Sequence, residues 1–260
     1  MTYLSGQPLY VYTLAQELVK EHDVSVLSVW TDNELKNKLI ESGVKCIICP
    51  EQEYDLIIAS EFKPDNVKGY TINIVHSEYD CETPISDCDF YVGIRPSIVE
   101  HIIKEHKIQK NKTKVVYNGI DRNRFKKSNK IKRPFKLTVV PCTIDKLREK
   151  FLNHLIDTAT KKNMYLIVGS YFGAELHNSP FVAFLPPTFN IEKYIEQADE
   201  VAGILLGRVN LEANSMGIKS LIYDPITLKR TKFMLDEKTF DKRHNIKKVA
   251  KQILKIYENK

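Results

Sequence analysis

The chain has 260 residues, 43% of them hydrophobic and 28% charged, with five cysteines and a formal net charge of +6. This composition excludes a disordered chain, and the apolar runs fall well short of the roughly 20 residues that a membrane-spanning helix needs. An odd number of cysteines, several inside apolar runs, points to reduced thiols in a cytoplasmic protein rather than to a disulfide scaffold.

The first residues, "MTYLSGQPLYVYTLAQELV", lack a basic stretch followed by an apolar core, so no signal peptide is expected. Leu14, Leu18 and their neighbours predict a helix over 9–22, and "DVSVLSVW" alternates as a strand. "DNELKNKLIESG" predicts a short helix with Asp32 as N-cap and Gly43 just past its end. "VKCIICP", "YDLIIAS", "YTINIVHS" and "DFYVGI" predict strands, "PSIVEHIIKEHKI" a helix opened by Pro96 and Ser97, and "KVVYNGI" a further strand. Beyond residue 133 the same grammar returns. "FKLTVVPC" is a strand, "DKLREKFLNHLIDTATKK" a helix, "MYLIVGS" and "FVAFLP" strands, and "NIEKYIEQA" a helix. "GILLGRVNLEANSMGIKSLIYD" (203–224) then reads strand, glycine turn, helix, Gly217, strand, and "NIKKVAKQILKIYEN" is a final amphipathic helix. Apolar strands alternating with helices predict parallel sheets with helices on both faces. Two such halves in tandem place a ligand cleft at the carboxyl ends of their strands.

Charge divides the chain as well. Residues 1–100 carry 7 Lys/Arg against 17 Asp/Glu, residues 101–150 carry 16 against 4, and residues 151–260 carry 16 against 12. The basic middle, densest at "KKSNKIKRPFK" (126–136), is either a solvated linker or a surface that attracts phosphate, anionic lipid or nucleic acid. "CIIC" (46–49) has the form of a zinc-binding pair, but in a strand residues i and i+3 face opposite ways. Cys46 and Cys49 therefore read as buried structural cysteines. No P-loop, metalloprotease motif or GxGxxG after a first strand is present, which leaves kinases and dehydrogenases without support.

Four stretches together resemble a GT-B glycosyltransferase, most closely glycosyltransferase family 4. "SGQPLYVYTLAQELVKEHDVSVLS" resembles the family's first glycine loop, helix and second strand. "NIVHSEYD" resembles its strand and His-bearing loop, "VVYNGIDRNRF" its domain junction, and "LEANSMGIKSLIYD" its "LEAMAxGxPVI" helix and strand. The resemblance implies two Rossmann-like domains in tandem, 1–119 and 120–260, with the ligand cleft between them and the C-terminal helix packing back on the first. It implies transfer of a sugar from a nucleotide-diphosphate-sugar, retaining and metal-independent, with UDP-sugar ahead of other donors and no cofactor. His76 and Arg208 take catalytic roles, and Gly6, Lys146, Arg148, Gly207, Arg208 and Glu212 hold the donor. Glu212 would accept from the ribose hydroxyls, while Gly6 and Gly207 let backbone approach the diphosphate. The acceptor stays open among glycan, lipid and protein, with DNA behind them. The basic 101–136 region would serve as a peripheral contact at the inner membrane face.

Three positions depart from the family pattern. Counting back eight from Glu212 gives Ile204 where the family has a glutamate, and Glu200 lies further back on the strand. The arginine expected at the start of the second domain is replaced by Thr143 or Cys142, leaving Lys146 or Arg148 to cover the cationic pair. Only four residues precede Ser5 and Gly6, so the family's first strand is truncated or replaced. These departures carry the alternative of a catalytically inactive nucleotide-sugar-binding or scaffold protein with the same fold. Glu78, Asp80, Asn118 and Gly119 read as loop, cap and junction residues.

Overall fold

The computed structural model describes residues 6–28, 33–60, 62–78, 83–127, 132–204 and 206–260. They group into two units. One holds Tyr10–Gly119 and Asp241–Lys260; the other holds Ile120–Phe240 with residues 6–9. A division of the sequence at 119/120 alone assigns both terminal segments the other way.

The chain opens with α1 (Gly6–Leu18), β1 (Ser25–Leu27), α2 (Asn33–Glu41) and β2 (Lys45–Ile47), and the two strands pair in parallel. The N-cap expected for α2, Asp32, lies outside the described residues. Gly43 follows α2 with φ +89°, a left-handed conformation that glycine adopts without strain. Cys46 is half-buried in β2, whereas Cys49 lies beyond the end of that strand and is exposed, so only the first fits the expected structural role. Then come β3 (Glu53–Ala59), β4 (Lys68–Val75), β5 (Phe90–Gly93), α3 (Pro96–Glu105) and β6 (Thr113–Val115). These four strands form a parallel sheet in the order β3-β4-β5-β6. Thr71, Ile72, Asn73 and Ile74 are all at most 1% exposed, as expected for a central parallel strand covered on both faces. Asn73 is satisfied there: its amide donates to the Ala59 carbonyl at 3.1 Å and its Oδ1 accepts from Ile85 N–H at 3.0 Å.

The second unit continues with β7 (Lys136–Pro141), β8 (Ile144–Asp145), α4 (Lys146–Asp157), β9 (Asn163–Val168), β10 (Tyr171–Phe172) and β11 (Val182–Leu185). After these come α5 (Glu192–Ile195), β12 (Glu200–Ile204), α6 (Arg208–Ser215), β13 (Lys219–Tyr223), β14 (Arg230–Phe233) and α7 (Glu237–His244), whose residues from Asp241 onward belong to the first unit. Six strands form one sheet in the order β11-β9-β7-β12-β13-β14, parallel except for β14 at the edge. The helix predicted over "NIEKYIEQA" is a single turn, α5. β14 is not legible along the chain, because "RTKF" has no apolar alternation; its strand state comes from pairing with β13.

α8 (Ile246–Glu258) returns to the first unit, where Val249, Ala250, Ile253 and Ile256 pack with Ile72, Ile74, Val92 and Val116. Gly119 lets α8 come close: a Cβ there would lie 2.4 Å from Ile246 Cδ1 and 3.1 Å from Ile246 Cα. His244 Nδ1–H donates to the Asn118 carbonyl at 2.9 Å, and burial lowers the pKa of that imidazole. Among the described residues no helix is long and apolar enough to cross a membrane.

Candidate functional site

In the second unit β9, β7 and β12 are adjacent and parallel, so their carboxyl ends lie along one edge of the sheet. β12 leads to Gly207, which caps α6 in extended backbone with φ −103° and ψ 174°. Glycine brings no side-chain acceptor, so the first-turn N–H groups project from a helix end that carries the positive pole of the dipole. Asn210 shapes the turn: its Oδ1 accepts from Gly207 N–H at 2.9 Å, and its own N–H donates to the Gly207 carbonyl at 3.2 Å. Asn210 is not among the residues expected from sequence, although an amide at the third helical position is a known partner of the cap.

Arg208 and Glu212 meet, with Arg208 Nε donating to Glu212 Oε1 at 2.8 Å. Their side chains are 5% and 4% exposed, so this is not the surface pair that i,i+4 spacing alone would suggest. A buried pair of this kind adds little net stability, because desolvation offsets most of the attraction. The rest of α6 is fixed by polar contacts. Asn214 Oδ1 accepts from Leu235 N–H at 3.0 Å, Ser215 Oγ donates to the Phe125 carbonyl at 2.8 Å, and Ser220 Oγ donates to the Asn210 carbonyl at 3.2 Å. The start of α1 passes beside this end of α6: a Cβ on Gly6 would lie 3.7 Å from Arg208 Cβ. The second unit therefore brings together Gly6, Gly207, Arg208 and Glu212.

Ile204 ends β12 and packs against the buried cluster that includes Val140, Ile144, Ala202, Leu221 and Tyr223, so core packing occupies the position of the family's first glutamate. Glu200, at the far end of the same strand, is engaged by Lys136 and Lys219 and does not replace it. After β7, Asp145 caps α4 by accepting from Arg148 N–H at 3.0 Å, and the Arg148 guanidinium closes on the same carboxylate. Lys146 lies 2.9 Å from Glu149 and 3.0 Å from Glu175. Both cations proposed for the diphosphate are thus balanced by neighbouring carboxylates. Burial pushes the Cys142 thiol up to about 12 and keeps it neutral.

In the first unit His76 follows β4. Its Nε2 is 3.3 Å from Ser60 Oγ, and the Tyr10 ring meets it edge-on with centroids 5.0 Å apart. Ser60 and Tyr10 were not anticipated, since only the pairing of β3 with β4 and the packing of α1 bring them there. Glu78 accepts from Arg95 Nε at 3.1 Å, from Arg95 Nη2 and from Ser97 Oγ at the start of α3. Asp80 lies outside the described residues.

The Arg95 guanidinium holds the Glu78 carboxyl down at about 2, from an ordinary 4.5. A depressed acid stabilises the fold above its ordinary value and loses that contribution as the pH falls toward the folded value. Denaturant melts between pH 4.5 and 2 are expected to show a steeper loss of stability in the natural chain than in Glu78→Gln. Equal slopes would mean that the Arg95 contact is not kept in solution. Among the described residues no three His, Cys, Asp or Glu side chains converge to hold a metal ion.

Two units, each built on a parallel sheet with helices, together with a last helix that returns to the first unit, define the GT-B class of fold. No protein-family model and no curated protein matches the sequence. Solved structures do match, over nearly the whole chain. Anabaena HepE (Alr3699) in complex with UDP-glucose is 14% identical with a TM-score of 0.72, covering 98% of this chain and 96% of that one. A glycosyltransferase from Rickettsia africae is 11% identical with a TM-score of 0.70, covering 98% and 95%. AviGT4, a glycosyltransferase involved in avilamycin A biosynthesis, is 11% identical with a TM-score of 0.63, covering 99% and 90%. At such identities the likeness establishes the fold.

Proposed function

We propose that this chain is a glycosyltransferase that moves a sugar from a nucleotide-diphosphate-sugar, a UDP-sugar first, to an acceptor nucleophile. The observation that carries the reading is the start of α6. A glycine-capped helix end, with a buried Arg208–Glu212 pair behind it, stands at the carboxyl edge of a parallel sheet in a GT-B fold. The UDP and UDP-glucose bound in the HepE structures support the donor class.

In this reading the donor diphosphate lies against the first-turn N–H groups of α6, beside Arg208. Glu212 accepts from the ribose hydroxyls on its second oxygen, since a carboxylate offers about four acceptor positions. When the bond from the anomeric carbon to the diphosphate oxygen breaks, that oxygen gains negative charge. Each preorganised donor aimed at it is worth roughly 3–4 kcal/mol in comparable sites. A retaining, metal-independent course suits these residues: the leaving phosphate oxygen takes the acceptor's proton, so the apolar Ile204 does not preclude turnover. His76 is assigned a catalytic role from the first unit, and Gly6, Lys146 and Arg148 supporting roles toward the donor.

The closed, buried state of the Arg208–Glu212 pair and the packing of Ile204 favour a second reading, a chain that binds nucleotide-sugar or serves as a scaffold without transferring. One experiment separates them. Thermal melts with UDP, GDP, ADP and their sugar conjugates are expected to show stabilisation by the uridine set, followed by slow hydrolysis of the stabilising UDP-sugar. Binding without hydrolysis or transfer would establish the scaffold reading, and no shift with any nucleotide would overturn both. Gly207→Ala sharpens the test. Its Cβ meets only Asn210 Oδ1 at 3.8 Å, an ordinary contact, so the variant is expected to fold normally while binding UDP more weakly. Unchanged UDP affinity in that variant would move the diphosphate away from α6.

A further inference from the structure

The amino edge of the same six-stranded sheet carries a cavity of about 530 Å³. It is lined where four adjacent strands begin: Arg133 and Lys136 at β7, Lys162 just before β9, Asp199 and Glu200 at β12, and Lys219 at β13. Glu200 is only 4% exposed and sits between two lysines. Its Oε2 is 2.5 Å from Lys136 Nζ, and its Oε1 is engaged by Lys219. One buried carboxylate therefore draws two ammonium groups to a single point, each with N–H groups left to donate, since an ammonium has three. Lys162 is exposed beside them. Arg133 lies 3.7 Å from Asp199 and has its Nε–H buried without an acceptor. Four cations against two carboxylates leave the lining with two positive charges in excess.

From this arrangement we infer that the cavity binds the phosphate group of a phosphorylated ligand, through Lys136, Lys219 and Lys162, with Glu200 as the brace that positions the first two. A phosphate dianion matches the excess charge and offers several acceptors to those N–H groups. The cavity volume falls in the range of small-molecule sites. This site is separate from the helix end at α6. Glu200 and Ile204 stand at opposite ends of β12, roughly 13 Å apart at about 3.3 Å per residue. The inference does not rest on the glycosyltransferase reading. The phosphate could come from a free anion or from a lipid headgroup, and the same lysines would recognise either.

The test uses the full chain and two probes, sodium pyrophosphate by calorimetric titration and phosphatidylcholine vesicles with or without phosphatidic acid by flotation. Lys162→Gln and Lys219→Gln are compared with Gly207→Ala, which weakens the α6 end without breaking a buried ion pair. At least one probe is expected to show a binding component that Gly207→Ala keeps and that the lysine variants weaken roughly tenfold or more, as loss of a charge-assisted hydrogen bond implies. Pyrophosphate binding alone identifies a soluble ligand, and phosphatidic acid binding alone a membrane headgroup. Lys162 is exposed and makes no contact with Glu200, so Lys162→Gln keeps the test decisive if Lys219→Gln does not fold. Absence of binding with both probes, or binding that the lysine variants leave unchanged, would overturn the site. A single binding component lost in Gly207→Ala and kept in the lysine variants would assign the anion to the α6 end and overturn the site equally.

Discussion

Glu212→Ala is expected to abolish nucleotide binding and to destabilise the second unit by about 3–5 kcal/mol, the usual cost of breaking a buried ion pair by removing one partner. The size follows from burial. The Arg208 side chain is 5% exposed and Glu212 supplies an acceptor at 2.8 Å, so truncation leaves a guanidinium out of water without that carboxylate. A surface pair at the same spacing would change stability by only about 0.3–0.5 kcal/mol. The double substitution Arg208→Met with Glu212→Leu separates structure from function. Replacing both charges by apolar groups of similar volume is expected to restore most of the stability, because the desolvation cost disappears with the charges. UDP binding should not return. Urea melts and calorimetry on the three proteins decide the matter: a single variant less than about 1 kcal/mol below the natural chain would show that water reaches the pair. A double variant that still binds UDP would remove Arg208 and Glu212 from the site.

Gly169→Ala is expected to be at least as damaging, for a reason unrelated to charge. The segments after β7 and β9 run backbone against backbone, so that a Cβ on Gly169 would lie 1.7 Å from the Cys142 carbonyl oxygen and 2.8 Å from its carbon. Neither atom belongs to a flexible side chain that could turn away. Relief requires separating the strand ends, with loss of the bonds from Cys142 N–H to Val168 O at 3.0 Å, Gly169 N–H to Leu185 O at 3.0 Å and Ile144 N–H to Ser170 O at 2.8 Å. Three hydrogen bonds at about 1 kcal/mol each, with the clash added, put the loss above roughly 3 kcal/mol, beyond most single substitutions. Gly173→Ala is the control. Its neighbourhood is open, and only its left-handed φ of +73° opposes a side chain, so a cost of about 1 kcal/mol is expected. Equal destabilisation of the two variants in urea would mean that the 142–145 and 169–172 segments are not closely packed. Because those segments set the position of Asp145 and α4, Gly169→Ala should also disturb the helix start that holds Lys146 and Arg148.

What the sequence alone determined is local or periodic. The order of strands and helices follows from apolar spacing, and α8 declares its buried face through Ile246, Val249, Ala250, Ile253 and Ile256. The turn at Gly207, with Arg208 and Glu212 one helical turn apart, is likewise a matter of counting along the chain. Burial is not written in spacing. The same i,i+4 pair is a weak surface contact or a desolvated ion pair depending on what covers it, and only the packed second unit decides that it is buried at 5% and 4%. β14 becomes a strand because β13 offers an edge, and Gly6 joins Arg208 because residues 6–9 group with the second unit. Glu200 shows the difference most clearly. In sequence it is a carboxylate too far from Glu212 to matter; in the fold, register sets it opposite Lys219 and packing brings Lys136 to it, making it the centre of a charged cavity. Pairing across a sheet joins residues that no local pattern connects, and that is why the second anion site became visible only in the tertiary structure.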